Sequence, residues 1–167
     1  GGSQGASPIN KHILDNIKIY LKNDIQILWQ CGKKDYKKLS TISIPNNITI
    51  EPFIKNMSEA YSASDLVISR AGAITISELT FMSKAMILIP YPLAADNHQL
   101  KNAEYLENKK ACVVIKQDEL KTGILEKTII KILSNKKQLE DLKNRSLQIA
   151  KPNATKNIAN EIMDTIL

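Results

Sequence analysis

The sequence predicts an α/β fold, a Rossmann-like parallel sheet with helices on both faces. Three observations carry the prediction. The β-branched apolar runs are only three to five residues long and continuously apolar, as in strands buried on both sides. Segments with helical spacing separate these runs, as right-handed crossovers between parallel strands require. Glycine or proline closes several of the runs, at Gly32, Pro52 and Pro90.

Ser7-Pro8 reads as a helix start, with Ser7 as N-cap and proline at the first helical position. Behind it Ile9, Ile13, Leu14, Ile17 and Leu21 recur at helical spacing and mark one buried face. Ile25 to Trp29 is the first strand. Lys33 to Leu39 is charged and forms a short helix or loop. Ile48 to Ile50 is the second strand, and Met57 to Ala63 is a helix. Asp65 to Ser69 is the third strand, followed by a helix over Ala73 to Ser83. Met86 to Ile89 and Cys112 to Ile115 are the fourth and fifth strands, with a helix over Asn97 to Asn108 between them. From Thr122 the chain is helical, with breaks near Ser134-Asn135 and at Pro152. No internal repeat or long linker interrupts the order, so residues 1–167 form a single domain.

Composition narrows the function classes. Of 167 residues, 43% are apolar and 24% charged, enough to bury a core in water. No apolar run is long enough to span a bilayer, and no signal peptide opens the sequence. Cys31 and Cys112 lie far apart without CxxC spacing. Reduced, half-buried strand residues are therefore expected rather than a zinc site or disulfide, and with them a cytoplasmic location. The net charge of +6 is carried almost entirely by scattered lysine. Without an arginine cluster or aromatics interleaved with basic residues, nucleic acid is not an expected partner.

In such sheets ligands bind beyond the C-terminal ends of the strands, which selects the loops to inspect. After the third strand comes Ser69-Arg70-Ala71-Gly72-Ala73, with a helix beginning at once. Gly72 can make the tight turn and admit a ligand to the backbone, or simply turn the chain. The free N–H groups of Ala73, Ile74 and Thr75 then form an anion site at the helix end, suited to a diphosphate. Glu78, in the second turn among apolar and hydroxyl residues, can accept two hydrogen bonds from the vicinal diol of a ribose. Its plainer role is a favourable charge near the positive helix end. Phosphate donors followed by a diol acceptor suggest a nucleotide.

The opening Gly1-Gly2-Ser3-Gln4-Gly5-Ala6 is a second glycine-rich turn before a helix. It is neither a P-loop nor a full GxGxxG, and a cloning remnant can look the same. If native, it lacks the strand expected before it, so the chain is expected to begin mid-architecture. The loop after the fourth strand crowds Asp96, Asn97, His98 and Gln99 into a first helical turn, where sugar hydroxyls could be read. The alternative is Asp96 as an N-cap with the others in solvent. No Cys/His/carboxylate spacing suggests a metal and no Asp-x-Asp pair is present, so neither metal nor cofactor is expected. A diphosphate would then rely on helix ends and on side chains such as Arg70 and Ser3.

GGSQGA, SRAGAITISEL and PYPLAADNHQLKNA, in this order and spacing, resemble the C-terminal domain of the MurG-type N-acetylglucosaminyltransferases, and the resemblance extends to ATKNIANEI near the end. The resemblance implies one half of a GT-B glycosyltransferase. Its reaction is transfer of N-acetylglucosamine (GlcNAc) from UDP-GlcNAc to an undecaprenyl-diphosphate-linked muramyl-pentapeptide, converting lipid I to lipid II for peptidoglycan. It implies that Ser3 contacts the diphosphate, that Ile54, beside Phe53, meets uracil through its backbone, and that Ala73, Ile74 and Thr75 behind Gly72 hold phosphate. Glu78 would accept the ribose hydroxyls, while Gln99, with His98 and Asp96 nearby, would read GlcNAc. Arg70 would neighbour the diphosphate.

The family's N-terminal domain is absent from these residues, and with it the acceptor site for lipid I, the membrane-associating patch and the proposed catalytic base. The chain alone is thus expected to be inactive, and the whole enzyme peripheral on the cytoplasmic face of the bacterial inner membrane. His12 is expected to be solvent-exposed, and neither it nor His98 is nominated as a base. The alternative functions are a stand-alone nucleotide-sugar-binding module, a subunit acting with a separate partner (as in the eukaryotic dolichol-linked GlcNAc enzyme), or a UDP-GlcNAc epimerase-like protein.

Overall fold

The computed structural model describes residues 6–166. Helices α1 (Ser7–Asp15) and α2 (Ile17–Lys22) lead to β1 (Ile27–Gln30), α3 (Lys33–Leu39) and β2 (Ile48–Glu51). Next come α4 (Met57–Ala63), β3 (Leu66–Ser69), α5 (Ala73–Phe81) and β4 (Ala85–Leu88). A 3-10 turn (Ala95–Asn97) precedes α6 (His98–Asn108) and β5 (Val113–Val114). A second such turn (Gln117–Thr122) leads to α7 (Ile124–Leu133), α8 (Lys136–Ile149) and α9 (Ala154–Ile166).

Every strand pairing is parallel, but the strands fall into two groups rather than the one continuous sheet expected. β1 pairs with β2, setting Ile27 opposite Ile48. β4 pairs with β3 on one side, Leu66 opposite Ala85, and with β5 on the other, Ile87 opposite Val113. Among the described residues no ladder joins β1 to β3. All four residues of β3 are only half-buried while those of β4 are fully buried, as expected when one strand has an open edge and its neighbour is central.

Side-chain alternation along β4 shows why helices cover both faces. Ala85 and Ile87, with Ile89 beyond the strand, join a cluster with Ile9 and Ile13 of α1, Trp29, Ile48, and Leu125, Ile129 and Ile132 of α7. Met86 and Leu88 point the other way, into a cluster with Tyr61 of α4, Leu79 of α5, and Ala103 and Leu106 of α6. The first cluster also holds both strand groups in one core. Among the described residues no helix is long and apolar enough to cross a membrane.

Several local expectations are corrected. Ala6, not Ser7, precedes α1; Ser7 is already helical, and its Oγ donates to Asp35 Oδ1 across 3.1 Å. The first helical run breaks at Asn16, whose Nδ2 donates to the His12 carbonyl at 2.9 Å, a local bond that competes with helix continuation. Beyond the break Leu21 is 37% exposed rather than on the buried face. His12 is not solvent-exposed: its side chain is 11% accessible and its Nε2–H donates to Glu126 Oε1. Tyr20 Oη donates to the same oxygen at 2.9 Å, tying α1 and α2 to α7. Cys31 and Cys112 are free thiols as expected, but they are fully buried and sit just outside β1 and β5 rather than within them.

Candidate functional site

The loop from β3 to α5 is the centre of the site. The first hydrogen bond of α5 runs from Ile76 N–H to Gly72 O at 3.0 Å. The N–H groups of Ala73, Ile74 and Thr75 are therefore the orphan donors of a helix start. Gly72 supplies no capping side chain and the first turn holds no acidic residue. The backbone of Gly72 is an ordinary extended one, φ −71° and ψ 144°, and a Cβ placed on it would meet nothing within 4 Å. The turn itself does not demand glycine, contrary to the expectation that a tight turn would. What a side chain at residue 72 would cover is the uncapped helix end.

Glu78 lies one turn further along α5, exposed at the surface. The buried phenol of Tyr61, from α4, donates to Glu78 Oε2 at 3.0 Å. Burial first, and then the hydrogen bond to and the charge of Glu78, push the Tyr61 pKa above its ordinary value, so the phenol stays protonated. Ala73 and Glu78 line a cleft of about 590 Å3 with Ser77, Asn102, Tyr105 and Lys151, between α5, α6 and the α8–α9 junction.

Arg70 fastens this loop to its neighbours. One guanidinium nitrogen, Nη1, donates to the carbonyls of Ile89 at 3.1 Å and Pro90 at 3.0 Å, and Nη2 donates to Gln117 Oε1. The same group lies 5.4 Å from the centre of the Tyr91 ring, within cation–π range. Burial lowers its pKa from the ordinary arginine value, the nearby Tyr91 opposing the shift. Asn102 Nδ2 donates to the Ala71 carbonyl at 3.1 Å, fixing α6 to the same loop.

The loop after β4 is shaped by two successive left-handed residues, Asp96 at φ 48° and Asn97 at φ 54°, types that tolerate that region. Asp96 therefore lies inside the 3-10 turn and is not the N-cap of α6; Asn97 occupies that position and its side chain caps nothing. Gln99 Oε1 accepts from Tyr91 N–H at 3.0 Å, which aims its NH2 donors elsewhere. His98 Nδ1–H donates to Ala95 O at 2.7 Å, so Nε2 is the ring nitrogen left without that bond.

Hydrogen bonds thus tie Arg70, the Gly72–Thr75 helix start and the Gln99 turn into one assembly. Phe53 and Ile54 stand apart from it, lining a separate hollow of about 480 Å3 with Leu28, Glu51, Asn56 and Glu59. The Ile54 N–H is donated to Gln30 Oε1 at 2.8 Å. Ser3 lies outside the described residues. Among the described residues no group of three or more His, Cys, Asp or Glu side chains is placed to hold a metal ion. Tyr61, Asn102 and Gln30 were not anticipated from sequence. Each acts through a partner 17 to 31 positions away, a relation no local pattern encodes.

Comparison with known proteins places this arrangement. The glycosyltransferase family 28 C-terminal domain matches residues 1–162. An enzyme of Thermodesulfovibrio yellowstonii named UDP-N-acetylglucosamine–N-acetylmuramyl-(pentapeptide) pyrophosphoryl-undecaprenol N-acetylglucosamine transferase is 44% identical over 171 aligned positions, covering 100% of this chain and 46% of that one. The protein of the same name from Flavobacterium psychrophilum is 39% identical, over 99% of this chain and 45% of that one. The chain thus spans under half the length of these relatives. The crystal structure of Acinetobacter baumannii MurG superposes with a TM-score of 0.79 at 32% identity, over 98% of this chain and 48% of that chain. The glycosyltransferase VinC shares the fold at 13% identity and a TM-score of 0.64. The chain belongs to the glycosyltransferase family 28 C-terminal domain family.

Proposed function

We propose that this chain is the donor-binding half of an inverting glycosyltransferase of the MurG type, and that it binds UDP-GlcNAc. The observation that carries the reading is the uncapped start of α5 with Glu78 one turn on, a phosphate site beside a diol acceptor. The names of the relatives supply the sugar, GlcNAc, and the lipid-linked muramyl-pentapeptide acceptor.

In this mechanism an acceptor hydroxyl attacks the anomeric carbon of GlcNAc while UDP departs. The N–H groups of Ala73, Ile74 and Thr75, aligned with the helix dipole, stabilise the charge that grows on the leaving diphosphate. Ser3 adds a hydroxyl donor from the opening turn. Glu78 accepts from the ribose hydroxyls. A uracil edge that takes the Ile54 N–H must replace the Gln30 carboxamide now holding it, with Phe53 beside it. Gln99 offers its NH2 and His98 its Nε2 to the GlcNAc hydroxyls, with Asp96 nearby. Arg70 neighbours the diphosphate without gripping it and braces the loop that leads to Gln99, because three of its N–H donors already serve Ile89, Pro90 and Gln117.

Among the described residues none is assigned as the general base. That group, the lipid I site and the contact with the inner membrane belong to the part of the enzyme that pairs with this half. Titration with UDP and with inorganic diphosphate tests the reading. Glu78→Ala is expected to weaken UDP roughly tenfold or more, as loss of charge-assisted hydrogen bonds implies, and to spare diphosphate. Equal weakening of both ligands would remove the ribose assignment.

A further inference from the structure

We propose that Tyr61 is the positioning residue of the site: its phenol clamps Oε2 of Glu78 and thereby presents Oε1 to the two hydroxyls of a ribose. The inference rests on reading Glu78 as the ribose acceptor and deepens it.

Glu78 is exposed and its side chain has three rotatable bonds, so an unrestrained carboxylate would lose considerable rotamer freedom on binding a diol. Tyr61 removes that freedom in advance. It is only 6% exposed, and its ring packs with Ala71 and Leu79 in the core cluster beneath α5. The O–H is therefore held by the fold, at 3.0 Å from Oε2. The raised Tyr61 pKa keeps the proton on the phenol throughout the physiological range, so Glu78 is always the acceptor of this bond. A carboxylate offers about four lone-pair positions, and the phenol takes one of them. The remainder suit two donors from a neighbouring diol. Tyr61 thus orients a group that contacts substrate, and preference for ribose over 2′-deoxyribose depends on it.

Calorimetric titration of the full chain and its variants with UDP, 2′-deoxy-UDP and inorganic diphosphate tests this. Tyr61→Phe keeps the ring and its packing. It is expected to weaken UDP roughly three- to tenfold, about the net worth of one ordinary hydrogen bond because Tyr61 acts on the ribose only through Glu78, and to shrink the preference for UDP over 2′-deoxy-UDP by a similar factor. Diphosphate should stay within about twofold. In a Glu78→Ala background Tyr61→Phe should change nothing more, because no carboxylate remains to orient. Glu78→Gln is the second variant; its single carbonyl acceptor is claimed by the phenol, so the ribose preference should fall there too.

If Glu78→Ala selectively loses UDP while Tyr61→Phe leaves UDP unchanged, the positioning role is overturned and the ribose reading stands. If Glu78→Ala weakens UDP and diphosphate alike, both fall. A Tyr61→Phe loss that is equal for all three ligands and persists in the Glu78→Ala background marks a purely structural tyrosine and also overturns the proposal.

Discussion

Replacing Gly72 with aspartate should make the fold more stable and the ligand weaker, a pairing that few substitutions produce. Residue 72 is the N-cap of α5, its φ and ψ suit any residue, and a Cβ there meets nothing within 4 Å. Aspartate is a better N-cap than glycine by a few tenths of a kcal/mol, and its charge on the helix dipole adds about 0.3–1 kcal/mol. A gain of about 0.5–1.3 kcal/mol in a chain of this length raises Tm by roughly 1–5 °C. The same carboxylate would occupy the N–H donors assigned to the diphosphate and repel it. Two unit charges about 4 Å apart interact by about 4 kcal/mol at an effective dielectric of 20. Allowing for salt screening, about 2–3 kcal/mol remains, a loss of roughly 30- to 150-fold in affinity. Scanning calorimetry and titration with UDP read both effects. Unchanged UDP affinity with a raised Tm would place the diphosphate elsewhere, and a lowered Tm would refute the account of an uncapped helix.

Other perturbations separate the parts of the structure. Asn10 is buried; its Nδ2 donates to the Cys31 carbonyl and Asp35, and its Oδ1 accepts from Trp29 Nε1 at 2.9 Å. Asn10→Ala strands buried partners at about 1–3 kcal/mol each, so thermal unfolding should show a loss of about 2–4 kcal/mol; under about 1 would mean water replaces the network. Arg70→Lys loses the fork that holds the Ile89 and Pro90 carbonyls, so GlcNAc recognition should suffer while UDP affinity changes little. A drop in UDP and diphosphate affinity together would instead put Arg70 on the diphosphate. Burial pushes the Cys112 thiol up to about 12 from an ordinary 9.0, so the folded state holds a proton that the unfolded chain releases. Stability is intact below about pH 9 and falls as pH rises toward 12. Tyr20, whose pKa is raised by burial and then by Glu126, joins the loss above its ordinary 10.0. Urea midpoints from pH 8 to 11 should decline less steeply in Cys112→Ala, and an identical slope would refute the assignment.

What the sequence discloses here is local, and what it hides is pairing at a distance. Met57–Ala63 is a helix with the limits expected, and Ala73 opens α5 where Gly72 said it would. Both boundaries lie beside local signals: the Asn56 side chain accepts from Glu59 N–H, and Gly72 is the N-cap of α5, three residues after the end of β3. His12 was misjudged because its partner, Glu126, is 114 positions away. The helix break at Asn16 was missed because the apolar period continues through it while the backbone does not. Glu78 was legible as a carboxylate in the second turn of a helix, but the tyrosine that aims it was not. Arg70 was legible as a cation in the right loop, but not its carbonyl partners. The division of the strands into two groups is likewise invisible in runs that all read as buried.

The central claim is that this chain grips a nucleotide sugar through the α5 helix start and Glu78. Titration of the chain with UDP-GlcNAc, with UDP as competitor, tests it most directly. The account predicts saturable one-to-one binding that UDP displaces and that Glu78→Ala weakens. Absence of saturable binding at millimolar UDP-GlcNAc, or binding that UDP fails to displace, would contradict it.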